Sequence, residues 1–269
     1  MAHSTPSRTI RFQKHLGAGV FGNVYKVYDV ATGSMYAAKM TKYNAGEPKK
    51  GLNEIQILKY IQHHKDAQGG ENKTIVRFVD SFIYHVYNTT GCSKIAYRCI
   101  LMDYVGPLSL RDALERDLIT DIDIPEMKRA KGFKYTIKQV MADLLGAVDF
   151  IHTLNIAHRD IKPENIICRV INQRIVNIVL ADFGCSKRLM YNSNSSHILS
   201  RKNQKGEFCP LRWLRSKTAK KNGIEPNFSV DFEPSNPVVC TRLYRSPELL
   251  FGSSYCVLAS DMFSVGKWN

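Results

Sequence analysis

The 269-residue chain has no run of 18 apolar residues, which excludes a membrane-spanning helix. Met1 to Arg11 holds no apolar stretch, so no secretory leader is expected. The seven cysteines are scattered, odd in number and without a C-x-x-C pair. That pattern argues against a disulfide scaffold or a structural zinc site and for a reducing compartment. Acidic residues are scarce too: 24 Asp and Glu stand against 38 Lys and Arg, a net charge of +14. The imbalance excludes an acidic solvating polypeptide and leaves an anionic partner open. No internal repeat is found. What is present, 44% hydrophobic and 23% charged residues, is the composition of a globular protein of one large domain or two small ones.

The first third reads as strands. Ile10–Leu16, Val24–Val30 and Ser34–Met40 are short, rich in β-branched and aromatic residues, and bounded by glycine turns. Leu52, Ile55, Leu58 and Ile61 then recur every three residues and predict a helix, with Glu54, Gln56 and Lys59 between them. Two further strand-like runs, Ile75–Val86 and Ala96–Val105, flank the polar turn Asn88–Lys94. Over Tyr135–His152 a second helix is predicted, because Ile137, Val140, Met141, Leu144, Leu145, Val148 and Ile151 form one apolar stripe. Short strands and loops follow around Ile161–Leu180. This order suggests a sheet-rich lobe to about residue 104 and a helical lobe after it. From Met190 to about Asn236 no period holds, and Leu199–Gly223 carries eight basic residues against the single acid Glu207. That stretch supplies half of the chain's net charge of +14. It reads as a solvated loop or as a docking surface for nucleic acid, an acidic protein or an import receptor.

Several short strings carry chemistry. Gly17, Gly19 and Gly22 form G-x-G-x-x-G between two predicted strands, where backbone N–H groups can face phosphate oxygens. A strand follows at Val24–Tyr28, whereas a dinucleotide fold requires a helix there. An ordinary glycine hairpin remains the alternative. Lys39 ends the run Tyr36-Ala-Ala-Lys39 and by itself reads as a surface lysine; Glu54 by itself reads as a solvated helix position. Together they suggest more, since a glutamate on a packed helix can hold a lysine that reaches phosphates. His158-Arg-Asp160-Ile-Lys162-Pro-Glu-Asn165 and Asp182-Phe-Gly184 complete the set. Asp160 and Lys162 can position a hydroxyl and a γ-phosphate, while Asn165 and Asp182 are hard oxygen ligands suited to Mg²⁺. Any one string could be a turn; their ordered succession argues against that.

In these motifs the chain resembles the eukaryotic protein kinase family. It departs from the family pattern at Tyr36-Ala-Ala-Lys39 and at Ser246-Pro-Glu248, and neither departure removes a catalytic group. The resemblance covers roughly residues 10–189 and 238–266. It implies an α+β, two-lobed protein-kinase fold: a small antiparallel β-sheet lobe with one main helix, and a mainly helical large lobe that is incomplete. The expected division is an N-terminal tail at 1–9, the small lobe at 10–104 and the large lobe at 105–269, with the basic activation-segment insertion at about 190–236. The resemblance also implies ATP and Mg²⁺ as cofactors. Leu16, Gly17, Ala18, Gly19, Val20, Phe21, Gly22, Asn23 and Val24 would cover the nucleotide. Val24 and Ala37 would lie above the adenine and Ile167 below it. Lys39, paired with Glu54, would hold the α/β-phosphates. Met102 would sit at the back of the pocket, with Asp103 to Val105 as the hinge. Asp160 would accept the substrate hydroxyl proton, Lys162 would steady the transferring phosphoryl, and Asn165 and Asp182 would hold Mg²⁺. Phosphoryl transfer is mostly positioning and charge neutralisation, so the set is short.

Cys240-Thr-Arg-Leu-Tyr-Arg-Ser-Pro-Glu-Leu-Leu-Phe-Gly252 resembles the CMGC group, the cyclin-dependent, MAP and glycogen synthase kinases. Leu101-Met-Asp-Tyr-Val105 and Asp182-Phe-Gly-Cys-Ser-Lys187 point the same way. This implies a Ser/Thr kinase, often proline-directed, in which Arg245 is the group's characteristic arginine and Thr241 contacts the catalytic loop. A catalytically weak or inactive kinase-like binding module is the alternative. The activating threonine and the MAP-kinase tyrosine of relatives align with Asn236 and Val238, which cannot be phosphorylated. Ser235 could substitute, or Asp231 and Glu233 could supply fixed charge to Arg159. Val20 and Phe21 carry no hydroxyl, so inhibitory phosphorylation there is not expected. The cyclin-binding helix signature is replaced by Lys50-Gly-Leu-Asn-Glu54. Cys185 reads as a small core residue or as a reactive thiol. The expected partners are protein substrates, an activating protein and a polyanion at the basic insertion, with no membrane and an intracellular, cytoplasmic or nuclear location. Since only eight residues follow Asp261, which opens a long helix in the family, a marginally stable large lobe is expected.

Overall fold

The computed structural model describes residues 9–19, 22–43, 51–67, 72–87, 94–120, 135–171, 174–189, 241–250 and 258–267. The tail at 1–8, Val20 and Phe21, the basic insertion, and Asp231, Glu233, Ser235, Asn236, Val238 and Cys240 lie outside the described residues. The chain divides into two compact units, Met1–Arg188 with Val238–Asn269, and Leu189–Pro237. Every element below belongs to the first; of the second only Leu189 is described.

Five antiparallel strands form the first sheet: β1 (Ile10–Gly19), β2 (Gly22–Asp29), β3 (Ser34–Lys42), β4 (Phe78–Tyr87) and β5 (Lys94–Asp103), in the order β1-β2-β3-β5-β4. Helix α1 (Leu52–Ala67) lies between β3 and β4 in sequence. Because side chains alternate along a strand, each strand serves two faces. Cys99 and Leu101 of β5 pack with Val27, Ala38 and Met40, while Ile100 and Met102 pack in the cluster that holds Ile55, Leu58 and Ile61 of α1. Lys39, between Ala38 and Met40, therefore emerges on the α1 side of the sheet. This is the small antiparallel lobe with one main helix that the sequence predicts.

Several strand boundaries differ from the sequence expectation by a few residues, and two of the differences have a hydrogen-bonded cause. Ile75 and Val76 are not in β4; Ile75 bridges Leu180, and the Val76 N–H donates to the Leu180 carbonyl at 3.0 Å. Their apolar character serves a join to a later strand. Tyr104 and Val105 leave β5, because the Asp103 N–H turns to the Arg77 carbonyl at 3.1 Å.

The remaining elements are β6 (Leu108–Ser109), α2 (Leu110–Glu115), β7 (Ile119–Thr120), β8 (Tyr135–Thr136), α3 (Ile137–Thr153), β9 (Ile156–Ala157), β10 (Ile166–Ile171), β11 (Arg174–Leu180), β12 (Lys187–Arg188), α4 (Pro247–Leu250) and α5 (Leu258–Gly266). Helix α3 starts two residues later than the predicted span, at the first residue of its apolar stripe, because Thr136 caps it. The Gln139 N–H donates to Thr136 Oγ1 at 3.2 Å, and Gln139 Oε1 accepts the Thr136 N–H at 2.8 Å. Its buried face is Val140, Leu144, Ala147, Val148 and Ile151. Ile137 and Leu145 of the expected stripe are instead 45% and 40% exposed, one in the opening turn and the other at the edge of the packed face. No helix among the described residues is long and apolar enough to cross a membrane.

Candidate active site

The site begins with a buried lysine. Lys39 Nζ donates to both carboxylate oxygens of Glu54 at 2.8 Å and to Asp182 Oδ1 at 2.6 Å. Glu54 is only 3% exposed, so the solvated-face reading of this position does not hold. Burial alone would lower the Lys39 pKa, but the Glu54 and Asp182 carboxylates raise it above the ordinary lysine value and keep the ammonium charged. Burial lifts the Glu54 pKa, with Lys39 opposing. For Asp182 burial acts upward, yet Lys39 and then His158 bring its carboxyl below the usual range.

Asp182 sits in the left-handed region at φ 60°, which is uncommon for a non-glycine residue. From there its Oδ1 accepts the Gly184 N–H at 3.3 Å and caps the turn Phe183–Cys185. Phe183 is buried in the core and meets the His158 ring edge-on, with centroids 4.8 Å apart. Cys185 in the same turn is buried, as a small core residue would be.

A second cluster forms around Asp160. Its Oδ1 accepts the Thr241 N–H at 3.0 Å and the Thr241 hydroxyl at 2.9 Å. Its Oδ2 accepts Asn165 Nδ2 at 2.9 Å and pairs with Lys162 Nζ at 2.9 Å. Lys162 Nζ also donates to Thr241 Oγ1 at 2.7 Å, so the hydroxyl bridges Asp160 and Lys162. Burial would raise the Asp160 pKa, but the Thr241 N–H and Lys162 outweigh it and hold the carboxyl below its usual range. Lys162 is shifted up: burial acts downward, and Asp160, with a smaller share from Asp182, overcomes it.

The loop carrying this cluster is anchored from below by Asp261, in the first turn of α5. Its Oδ2 accepts the His158 N–H at 2.8 Å and lies 2.9 Å from His152 Nε2; its Oδ1 accepts the Arg159 N–H at 2.8 Å. Arg159 is held at φ 68°, a conformation the two flanking bonds fix. Burial lowers the His158 pKa, against the pull of Asp261 and Asp182, and its Nε2 lies 3.0 Å from the Ala181 carbonyl. The sequence reading treated Asp261 only as a helix start, because its partners lie about a hundred residues earlier and no spacing signals them.

The other expected residues fall as follows. Leu16, Gly17, Ala18 and Gly19 end β1, and Gly22, Asn23 and Val24 begin β2, so the glycine string is the tip of a hairpin pairing Gly19 with Gly22. At Gly22, φ is +133° and a Cβ would run into the Met40 carbonyl oxygen, so only glycine fits. A Cβ on Gly17 or Gly19 would meet nothing within 4 Å, which leaves open space beside the hairpin. Val24 pairs with Lys39, and Ala37 with Met102, in neighbouring ladders. Met102 is buried in the core, and Ile167 pairs with Ser109 and Val179. The Asp103 carboxylate is taken by Arg77, with two bonds of 2.7 Å. Val105 packs at the edge of the core.

The donor set can be tested against Mg²⁺. The Asn165 amide nitrogen is engaged by the Asp160 carbonyl and carboxylate at 2.8 and 2.9 Å, and its Oδ1 meets no hydrogen-bond donor among the described residues. Asp182 uses Oδ1 for Lys39 and Gly184 and keeps Oδ2 for another partner, on a side chain 36% exposed. One amide oxygen and one carboxylate oxygen are what a hard cation that keeps most of its waters takes from a protein.

The protein kinase domain family matches residues 10–268. Among similar proteins is the cyclin-dependent kinase 4 homolog of Caenorhabditis elegans, 32% identical over 187 residues, 68% of this chain and 39% of the relative. The cell division control protein 2 homolog 1 of Trypanosoma brucei brucei is 27% identical over 263 residues, 97% of this chain and 62% of the relative. Glycogen synthase kinase 3 of Trypanosoma brucei brucei is 25% identical over 250 residues, 93% of this chain and 54% of the relative. The chain thus spans between 39% and 62% of the length of these relatives. A family match over nearly every residue, with cyclin-dependent and glycogen synthase kinases among the relatives, means that the chain belongs to the protein kinase family and is CMGC-like.

Proposed function

We propose that the chain is an ATP-dependent protein serine/threonine kinase that transfers the γ-phosphoryl group of Mg-ATP to a Ser or Thr hydroxyl. The observation that carries this reading is Lys39 Nζ, bound at once to Glu54 and Asp182, joining the sheet, α1 and the Asp182 turn. Lys39 holds the α/β-phosphates and Glu54 fixes Lys39. The hairpin tip from Leu16 to Val24 covers the phosphates, and Ala37, Met102, Asp103, Val105 and Ile167 line the adenine. Asn165 and Asp182 would hold Mg²⁺, which when bound would supply charge neutralisation at the phosphates. Asp160, kept ionised, orients the incoming hydroxyl and receives its proton. Lys162 steadies the transferring group from the neighbouring position. Such preorganised charge supplies most of the catalysis in phosphoryl transfer. Thr241, bridging Asp160 and Lys162, supports a Ser/Thr acceptor; the CMGC likeness and Arg245 support a proline beside it.

The test uses the full chain, γ-labelled ATP and a panel of protein substrates, with the labelled amino acid identified by mass spectrometry. Label on Ser or Thr, dependent on Mg²⁺, is expected. Mg-ATP at 100 times its Kd should also stabilise the chain by about 2.7 kcal/mol. Stabilisation without transfer would leave a nucleotide-binding module, and neither effect would overturn the reading.

A further inference from the structure

Helix α1 carries Glu54 in its first turn, and the preceding residue, Asn53, makes a contact of its own with the segment after Asp182. Asn53 Nδ2 donates to the Ser186 carbonyl at 2.8 Å. Ser186 is itself immobilised: its N–H donates to the Phe183 carbonyl at 3.0 Å and its hydroxyl to the His158 carbonyl at 3.2 Å. Seven residues along the same helix face, Tyr60 lies under the Arg188 guanidinium, 3.8 Å from the ring centroid. Arg188 pairs with Ile156 and Lys187 with Ala157 in the ladder that leads into His158 and Asp160. The two contacts therefore fasten one face of α1 to Ser186–Arg188, four to six residues beyond Asp182. Between them Glu54 closes on Lys39, and Lys39 on Asp182.

We propose that Asn53, with Arg188, is a positioning residue: a latch from α1 to the segment after Asp182 that holds Glu54 against Lys39. This deepens the phosphoryl-transfer reading and rests on it. The latch uses a neutral amide, a backbone carbonyl and a cation over a ring, and all of its parts are supplied by the chain itself. Helix geometry alone would accept a carboxylate at Asn53, since an acidic side chain is favourable in a first turn. The latch would not, because a carboxylate cannot donate to the Ser186 carbonyl.

The experiment compares the wild-type full chain, Asn53→Asp, Glu54→Gln and the double variant in Mg-ATP-dependent phosphorylation of casein. Asn53→Asp is expected to lower kcat on the order of fivefold, the weight of one hydrogen bond, with KM for casein unchanged. Added to Glu54→Gln it should cost nothing further, because it acts through that residue. Wild-type kcat in Asn53→Asp, or losses that multiply in the double variant, would overturn the latch. If the wild-type chain transfers no phosphate, the phosphoryl-transfer reading fails, and the latch is judged by amide hydrogen exchange without nucleotide. Faster exchange in the first turns of α1 and in Ser186–Arg188 is then expected for Asn53→Asp; unchanged exchange would overturn it.

Discussion

The cluster around Lys39 draws on a strand, a helix and a turn, whereas three of the four residues of the Asp160 cluster, Asp160 included, lie between positions 160 and 165. Residues 39, 54 and 182 meet only when the sheet, α1 and the Asp182 turn are all aligned. Asp160, Lys162 and Asn165 are held close by their own loop and take only Thr241 from elsewhere. The Lys39–Glu54 pair is also almost wholly enclosed, with only Asp182 of its cluster partly exposed, whereas the Lys162–Asp160 pair is itself partly exposed at Lys162. A defect in the first cluster should therefore spread into the fold, while a defect in the second should stay with the chemistry.

The largest effect expected is from Lys39→Met. It leaves Glu54 enclosed without its cation, and breaking a buried pair costs roughly 3–5 kcal/mol. Denaturant unfolding should show that loss, and transfer should fall to background. Adding Glu54→Gln should recover much of the stability and none of the activity; a stable Lys39→Met single variant would erase the contrast between the clusters.

A change at Thr241 should touch chemistry alone. Thr241→Val removes the hydroxyl bonded to Asp160 and Lys162 but keeps the backbone N–H on Asp160. Hydrogen bonds to charged groups are worth about 1.5–3 kcal/mol, so kcat/KM should drop by roughly tenfold or more, with unfolding little changed. Thr241→Ser should restore the rate, and steady-state kinetics on the three proteins decides it.

The smallest effect is in acid. A carboxylate whose folded pKa is depressed adds stability that is fully present above its unfolded value, about 3.9, and is lost as pH falls through the folded value. Asp160 is such a group. Its contribution should be constant from neutral pH down to about pH 5 and should vanish progressively below pH 4. Unfolding curves of Asp160→Asn should lack that part of the acid limb.

How much of this was legible in the sequence follows from how local each feature is. The hairpins and α1 announce themselves because their apolar residues recur with a fixed period. Asp160, Lys162 and Asn165 share one string, and Lys39, Glu54 and Asp182 were each visible as motifs. The pairing of Lys39 with Glu54 was legible only from the two motifs taken together, since nothing in the string around residue 54 separates a buried glutamate from a solvated one, and the bond from Lys39 to Asp182 was not legible at all. Helix α2 is six residues long, too short for a period, and is set by the Ser109–Asp112 capping box. Ile75 and Val76 look like strand residues because they are buried, yet their partner is Leu180. Asp261 and Asn53 act on backbone groups more than a hundred residues away, which no local pattern encodes.

The division between the clusters meets its most direct test in Asp160→Asn, with Mg-ATP affinity and single-turnover transfer measured on the same full-length preparation. Asp160 bonds to Thr241, Asn165 and Lys162, so the affinity should stay within about twofold of wild type while transfer falls by roughly 10²–10⁴, the usual weight of a general base. Transfer at the wild-type rate, or loss of nucleotide binding together with transfer in a folded protein, would contradict the account.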